Sequence, residues 1–303
     1  MSLNVFLELV EIKAKTASIL PMLLGVCLSV YYFHSLSIVN SILFFIAMLL
    51  FNMAVDMMDN YNDYNHAVDT VDYKQNTNII GRENISPRLV LGLLLAFSTV
   101  AGLIGIYLVT IVGLPLLWMG IFCFAVGIFY SSGPFPLSGL PVGEFASGFT
   151  MGFMIVLISV YINAFQQFAW TWTNIGVVFL VALPDELWIS NLLLANNICD
   201  AGEDEDNHRH TIIHFIGQRN GLYSFAIKNV LAFLAIIFSA ILHLAPWTVL
   251  LTLFIIPFVI KQTRLLFAKQ VKKETFPCAI KILFIGSLVQ VVTYAIGLLF
   301  RIS

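Results

Sequence analysis

Long apolar runs, each about the length of a bilayer crossing, divide this chain. Stretches of roughly 20 apolar residues predict nine membrane-spanning helices, near Thr16–Phe33, Ile38–Met57, Arg88–Thr110, Leu114–Tyr130, Gly143–Ala164, Thr173–Ala195, Leu222–His243, Pro246–Ile260 and Phe276–Phe300. The connections alternate in character. Those after the second, fourth, sixth and eighth spans are long and polar, and the others are short. Ahead of the first span, Val5, Phe6, Leu9, Val10 and Lys13 recur at helical spacing, which predicts a short amphipathic helix lying at the membrane interface. No soluble segment or low-complexity linker interrupts the series. The pattern therefore predicts one transmembrane domain over residues 1–303: an all-α, polytopic bundle of about nine helices with a cytoplasm-facing cavity.

Composition agrees with an integral membrane protein: 59% of the 303 residues are hydrophobic and 11% charged, against about 25% charged in soluble domains. Glu8 and Glu11 precede any basic residue, which does not suit a signal peptide. With the N-terminus in the cytoplasm, 14 of the 15 basic residues fall on the inner side, leaving only Arg301 outside. A net charge of −2 gives no sign of nucleic-acid binding. Cys27, Cys123, Cys199 and Cys278 form no CxxC pair and read as small buried residues rather than a disulfide frame or zinc site.

Two acidic segments break the apolar pattern, one after the second span (Asp56, Asp59, Asp63, Asp69, Asp72) and one after the sixth (Asp200, Glu203, Asp204, Glu205, Asp206). They hold 10 of the 17 acidic residues and contain no Lys or Arg. Two carboxylates about 6 Å apart repel by roughly 2–3 kcal/mol at an effective dielectric near 20, so a cation is needed if the segments meet. Asp59 and Asp63 are four apart, as are Asp200 and Asp204. On a helix extending a span, that spacing turns each pair to one face. Two such faces opposed make an all-oxygen cage, which suits magnesium shared with phosphate better than zinc. His66, His208 and His210 lack partnering cysteines and read as solvated loop residues. The recurrence of an acidic motif after spans two and six points to a weak four-helix repeat.

The residues around these aspartates resemble the UbiA superfamily of intramembrane prenyltransferases. Asn196-Asn197-Ile-Cys-Asp200-x-x-x-Asp204, followed by Arg209, Thr211 and Gly217, is similar to that family's second aspartate motif. The double Asn and trailing Arg-x-Thr most resemble the branch acting on 1,4-dihydroxy-2-naphthoate in menaquinone synthesis. The first segment is similar to that branch's Asn-Asp-Tyr-x-Asp-x-x-x-Gly-x-Asp pattern, with Asp63 and Asp69 matching its later two aspartates. Its opening pair is inverted here to Asp59-Asn60, and its glycine is Ala67. Either Asp59 replaces a phosphate-contacting Asn, or the register uses Asp56. Lys13-x-Lys15-Thr16, Gly81 with Ile85-Ser86-Pro87, and Tyr130-Ser-Ser-Gly133-Pro134-x-Pro136-Leu137 with Gly143-Glu144 resemble further family segments. The resemblance covers about Lys13 to Gly217.

It implies a magnesium-dependent transfer of a polyprenyl group from its diphosphate to an aromatic acceptor, expected to be dihydroxynaphthoate, which loses its carboxylate. Metal binding is expected of Asp59, Asp63, Asp69, Asp200 and Asp204, with catalysis resting on the last four. Arg209, Lys74 and Arg82 are expected phosphate donors, and Asn197 positions a phosphate or a metal-bound water. Glu144 is a candidate acceptor contact. Tyr130 and Ser131 match a position beside the reactive site, although Tyr130 also reads as an interfacial aromatic. The isoprenoid tail is expected in an apolar groove open to membrane lipid, in a bacterial cell membrane. Asp185 and Glu186 follow Pro184 inside the sixth span, where ionisable groups are costly and usually functional; the alternative places them near its outer end. The basic run Lys261–Lys273 reads as an orientation and anionic-lipid signal.

Other acceptors (4-hydroxybenzoate, homogentisate, haem) remain open in this reading. A cation-coupled transporter using Asp185, Glu186 and the acidic mouth is the competing class. Transporters place coordinating groups near the midplane on broken helices, whereas nearly all the acids here sit at span ends.

Overall fold

A computed structural model describes residues 1–66, 77–206 and 209–300. Among the described residues every regular element is helical, and nine helices are long and apolar enough to cross a membrane. They run Ile12–Tyr32, Ile38–Asn65, Pro87–Val112, Leu114–Ser131, Gly143–Ala164, Trp172–Cys199, Ile212–Ile241, Trp247–Ala268 and Lys272–Phe300. Each overlaps one of the nine apolar runs.

Several boundaries move, for a shared reason. The second helix continues to His66, well past Met57, because Met53, Met57, Tyr61 and Tyr64 keep one face on the core while aspartates and asparagines occupy the others. The seventh begins at Ile212 rather than Leu222, with Ile213 buried below the polar stretch Gln218–Asn220. Its helical path is interrupted at Gly217, whose φ of 75° lies in the left-handed region that a side chain disfavours. Arg219, which precedes the seventh predicted span, therefore lies within the seventh helix, as Lys228 does. Lys261 and Arg264 lie in the eighth, and Lys272, Lys273 and Lys281 in the ninth.

The chain forms two compact units, Met1–Thr16 with Ile42–Pro136, and Ala17–Ser41 with Leu137–Ser303. In the first, helix α1 (Leu3–Leu9) packs its apolar face on protein. Leu9 and Val10 are fully buried against Met57, Ile79, Ile80, Ile85 and Val90. Asn78 caps the short turn Ile79–Arg82 by accepting from the Ile80 amide at 2.9 Å. Pro87 then opens the third span at the first helical position, where its missing N–H costs nothing.

In the second unit the sixth span, helix Trp172–Cys199, lies at the centre. Small residues and paired polar groups bring its neighbours close, as expected where helices cannot rely on expelling water from one another. The fifth span passes it through a π-helical stretch, Gly148–Met154. A Cβ at Gly148 would stand 2.6 Å from the carbonyl oxygen of Glu186, so only glycine permits this approach. Asn191 donates to the Phe225 carbonyl at 2.9 Å, and Tyr294 to that of Leu244 at 2.7 Å.

Candidate active site

The described part of the first acidic segment, Asp56 to Asp63, occupies the last turns of the second span. Asp56 pairs with Lys15, whose ammonium also donates to Asn52 Oδ1 at 2.6 Å. Lys15 is only 1% exposed, so this is a buried charge with its counter-ion supplied by the next helix. One turn further, Asp59 and Asp63 are both exposed on one face of the helix. The asparagines between them brace the surroundings. Asn60 donates to the Asp56 carbonyl at 3.1 Å, and Asn78 donates to the Asn60 carbonyl at 3.0 Å. Asn62 donates to Ser131 O at 3.0 Å and Ser132 Oγ at 2.8 Å, which holds the Tyr130–Ser132 strap beside this segment. Asp69 and Lys74 lie outside the described residues. Arg82 is held by Glu8 at 2.6 Å and Glu83 at 3.2 Å, and these hydrogen bonds raise its guanidinium pKa further. In this structure it lies against the amino-terminal helix.

The second segment is a coil built by three successive backbone hydrogen bonds. The Asp200 amide donates to Asn196 O (2.9 Å), Asp204 to Asp200 O (2.8 Å), and Arg209 to Asp204 O (2.8 Å). Asp200 caps the sixth span, and Asp204 sits on the following short helix Ala201–Asp206. The expected continuous helix is thus broken at Asp200, yet the four-residue hydrogen bond keeps the two carboxylates on one side. Both are buried, and each has a cation. Lys272, at the start of the ninth span, pairs with Asp200, and Arg209 Nε lies 3.3 Å from Asp204 Oδ1. Arg209 also donates to the Ser138 carbonyl at 3.1 Å, tying the Pro/Gly-rich connection to the coil.

Glu144, at the start of the fifth span, accepts from Asn197 Nδ2 at 2.7 Å. It borders a cavity of about 220 Å3 that Glu186, Ser190, Ser224 and Lys228 also line. Adjacent residues on a helix point about 100° apart, and Asp185 and Glu186 accordingly part company. Asp185 is fully buried and accepts from Ser287 on the ninth span, whereas Glu186 faces the cavity.

Oxygen donors alone, clustered and acidic, are chemically suited to magnesium. Among the described residues, no three His, Cys, Asp or Glu side chains stand close enough together to complete a metal site. His210 instead packs edge-on to His214 at 4.7 Å. Two lysines had no expected role at the site: Lys272, which looked like one more member of a basic run, and Lys228, which lies inside the seventh predicted span. The lysine nearest in sequence to an aspartate carries no mark of which one will reach it.

Comparison with known proteins bears on the family and the fold. A family model described as the UbiA prenyltransferase family matches residues 18–288. A Bacillus subtilis (strain 168) protein named 1,4-dihydroxy-2-naphthoate octaprenyltransferase is 29% identical over 237 residues, spanning 77% of this chain and 72% of that protein. The apo structure of a UbiA homolog from Aeropyrum pernix K1 matches with a TM-score of 0.71 at 16% identity, covering 91% of this chain and 97% of that one. A UbiA homolog from Archaeoglobus fulgidus bound to DMAPP and Mg2+ matches at 0.61 and 13% identity, over 96% and 99% of the two chains.

Proposed function

Because this chain belongs to the UbiA prenyltransferase family, we propose that it transfers a polyprenyl group from an allylic diphosphate to 1,4-dihydroxy-2-naphthoate. The observation that carries the reading is the coil Asn197–Asp200–Asp204–Arg209, two buried carboxylates with a guanidinium folded back on them at the end of a membrane span. The acceptor follows from the Bacillus subtilis relative's name and from the double Asn. Asp59, Asp63 and Asp69 in the first segment and Asp200 and Asp204 in the second are the residues that would hold magnesium. That a homolog from Archaeoglobus fulgidus binds DMAPP and Mg2+ supports a magnesium-dependent reaction. When bound, the metal supplies positive charge against which a leaving diphosphate is stabilised.

The chain's own residues do the rest. Arg209 and Lys74 donate to phosphate oxygens, a charge-assisted contact of the strong kind. Asp56 is neutralised by Lys15, which supports a register of the first motif through Asp59 and Asp63. The allylic C–O bond breaks with its electron pair on the diphosphate. A ring carbon then forms the new C–C bond, and the electrons of the ring–carboxylate bond restore aromaticity as carbon dioxide leaves. Such a cation survives only where water is excluded and the ring is held close. The active site faces the cytoplasm of a bacterial cell.

The test is purified protein with magnesium, a polyprenyl diphosphate and a panel of aromatic acids, read by mass spectrometry. A prenylated naphthoquinol lacking the carboxylate is expected. Product on a different ring overturns the acceptor; absence of any magnesium-dependent donor cleavage overturns the reaction class.

A further inference from the structure

The cavity beside Asn197 carries charges that diphosphate binding does not use. Resting on the reading above, we infer that this cavity is the acceptor seat, where Lys228 meets the carboxylate of a hydroxy-aromatic acid and Glu186 accepts a hydrogen bond from its ring hydroxyl.

The electrostatics ask for such a ligand. Glu186 is 8% exposed, and its Oε2 has no hydrogen-bond partner among the described residues. A buried carboxylate oxygen left unpaired is costly. Lys228 donates to Ser190 Oγ at 2.7 Å, leaving two of its three N–H groups for other partners. Among the described residues, neither Glu144 nor Glu186 lies within 4 Å of its ammonium. Separated opposite charges face one cavity, and a molecule with an acid group and a hydroxyl satisfies both.

Size and lining agree. About 220 Å3 admits a compact one- or two-ring molecule and is too small for a polyprenyl tail. Phe145, Leu187, Leu194 and Ile216 supply apolar surface for the faces of a ring. The position of Glu186 is set by its backbone, against which the π-helical stretch packs at Gly148. π-Helical turns recur at functional sites. Glu144 joins the two sites, lining the cavity while accepting from Asn197, three residues before Asp200. The ring would thus sit one side chain away from the carboxylates that face the diphosphate.

The test uses full-length protein in nanodiscs and measures equilibrium binding of dihydroxynaphthoate and of 1,4-dihydroxynaphthalene, which lacks the carboxylate, alongside donor KM. Lys228→Met is expected to weaken the acid by about tenfold or more and to leave the diol and the donor within about twofold. Glu186→Gln should weaken both ring compounds and spare the donor. Ser224→Leu, on the half-exposed wall, fills the cavity and should abolish acceptor binding while donor binding persists, which decides the matter if a charge variant does not fold. Unchanged affinity for both ring compounds in all folded variants overturns the seat. Because binding is read directly, that failure is distinct from a wild-type protein that binds the ring and never prenylates it.

Discussion

Lys15 and Asp56 form an ion pair in which the lysine is almost wholly buried and Asn52 takes a second ammonium hydrogen. The pair joins the start of the first span to the second span one turn before Asp59. Removing one partner of a buried pair strands the other, a loss of about 3 kcal/mol or more. Lys15→Met and Asp56→Asn should each lower thermal stability in detergent by that order, and the double substitution by clearly less than the sum. Additive losses would show that the two charges do not interact.

Asp63→Asn behaves differently. Its carboxylate is exposed, so unfolding should shift by no more than about 0.5 kcal/mol, while turnover falls by about a hundredfold or more. Thermal melts and prenyl transfer measured on one preparation separate the outcomes. Equal loss of stability and activity would assign Asp63 to the fold.

Asp200→Asn and Asp204→Asn should also abolish turnover with the fold kept. Their cations, Lys272 and Arg209, are 51% and 42% exposed, and hydrated charges of this kind contribute within about 1 kcal/mol. Lys272→Met is the more informative variant. If Lys272 holds Asp200 in place, raising magnesium should restore part of its activity; activity that does not respond to magnesium would rule out a positioning role.

The existence of the helices was legible because bilayer thickness fixes their length and forbids charge, so hydropathy alone finds them. Their ends were not. Beyond Met57, and again below Leu222, polar residues continue the helix on one face while Tyr61, Tyr64 and Ile213 pack on the other, and hydropathy averages the two faces together. The aspartates stood out by being costly. Their partners did not: Lys272 reaches Asp200 across 72 residues, and no local pattern distinguishes it from Lys273. Asp185 and Glu186 looked like one feature and are two, since a single residue step turns one toward Ser287 and the other into a cavity.

Asn197→Leu leaves the Glu144 carboxylate buried and short of a donor, a cost of about 1–3 kcal/mol. Asn197→Asp should be worse, because two carboxylates then face each other at hydrogen-bond distance. Chemical denaturation of the two variants ranks them, and the reverse order would mean that Glu144 is protonated in the folded protein.

Gly148→Ala puts a methyl group against the Glu186 carbonyl, and overpacking of this sort costs about 1–3 kcal/mol. Thermal melts check it; an unchanged melting point would show that the two helices can separate without penalty.

That same close approach bears on how acceptor preference could be altered. The wall of the cavity carrying Glu186 is clamped by backbone on backbone and offers no slack to a new side chain. The opposite wall, with Ile212 and Ile216 before Gly217 and Ser224 after it, follows a helix already interrupted by a left-handed residue. Selection for a larger or smaller ring should therefore gather its substitutions on that one helix, and a library that diversified both walls equally would lose most of its members to misfolding.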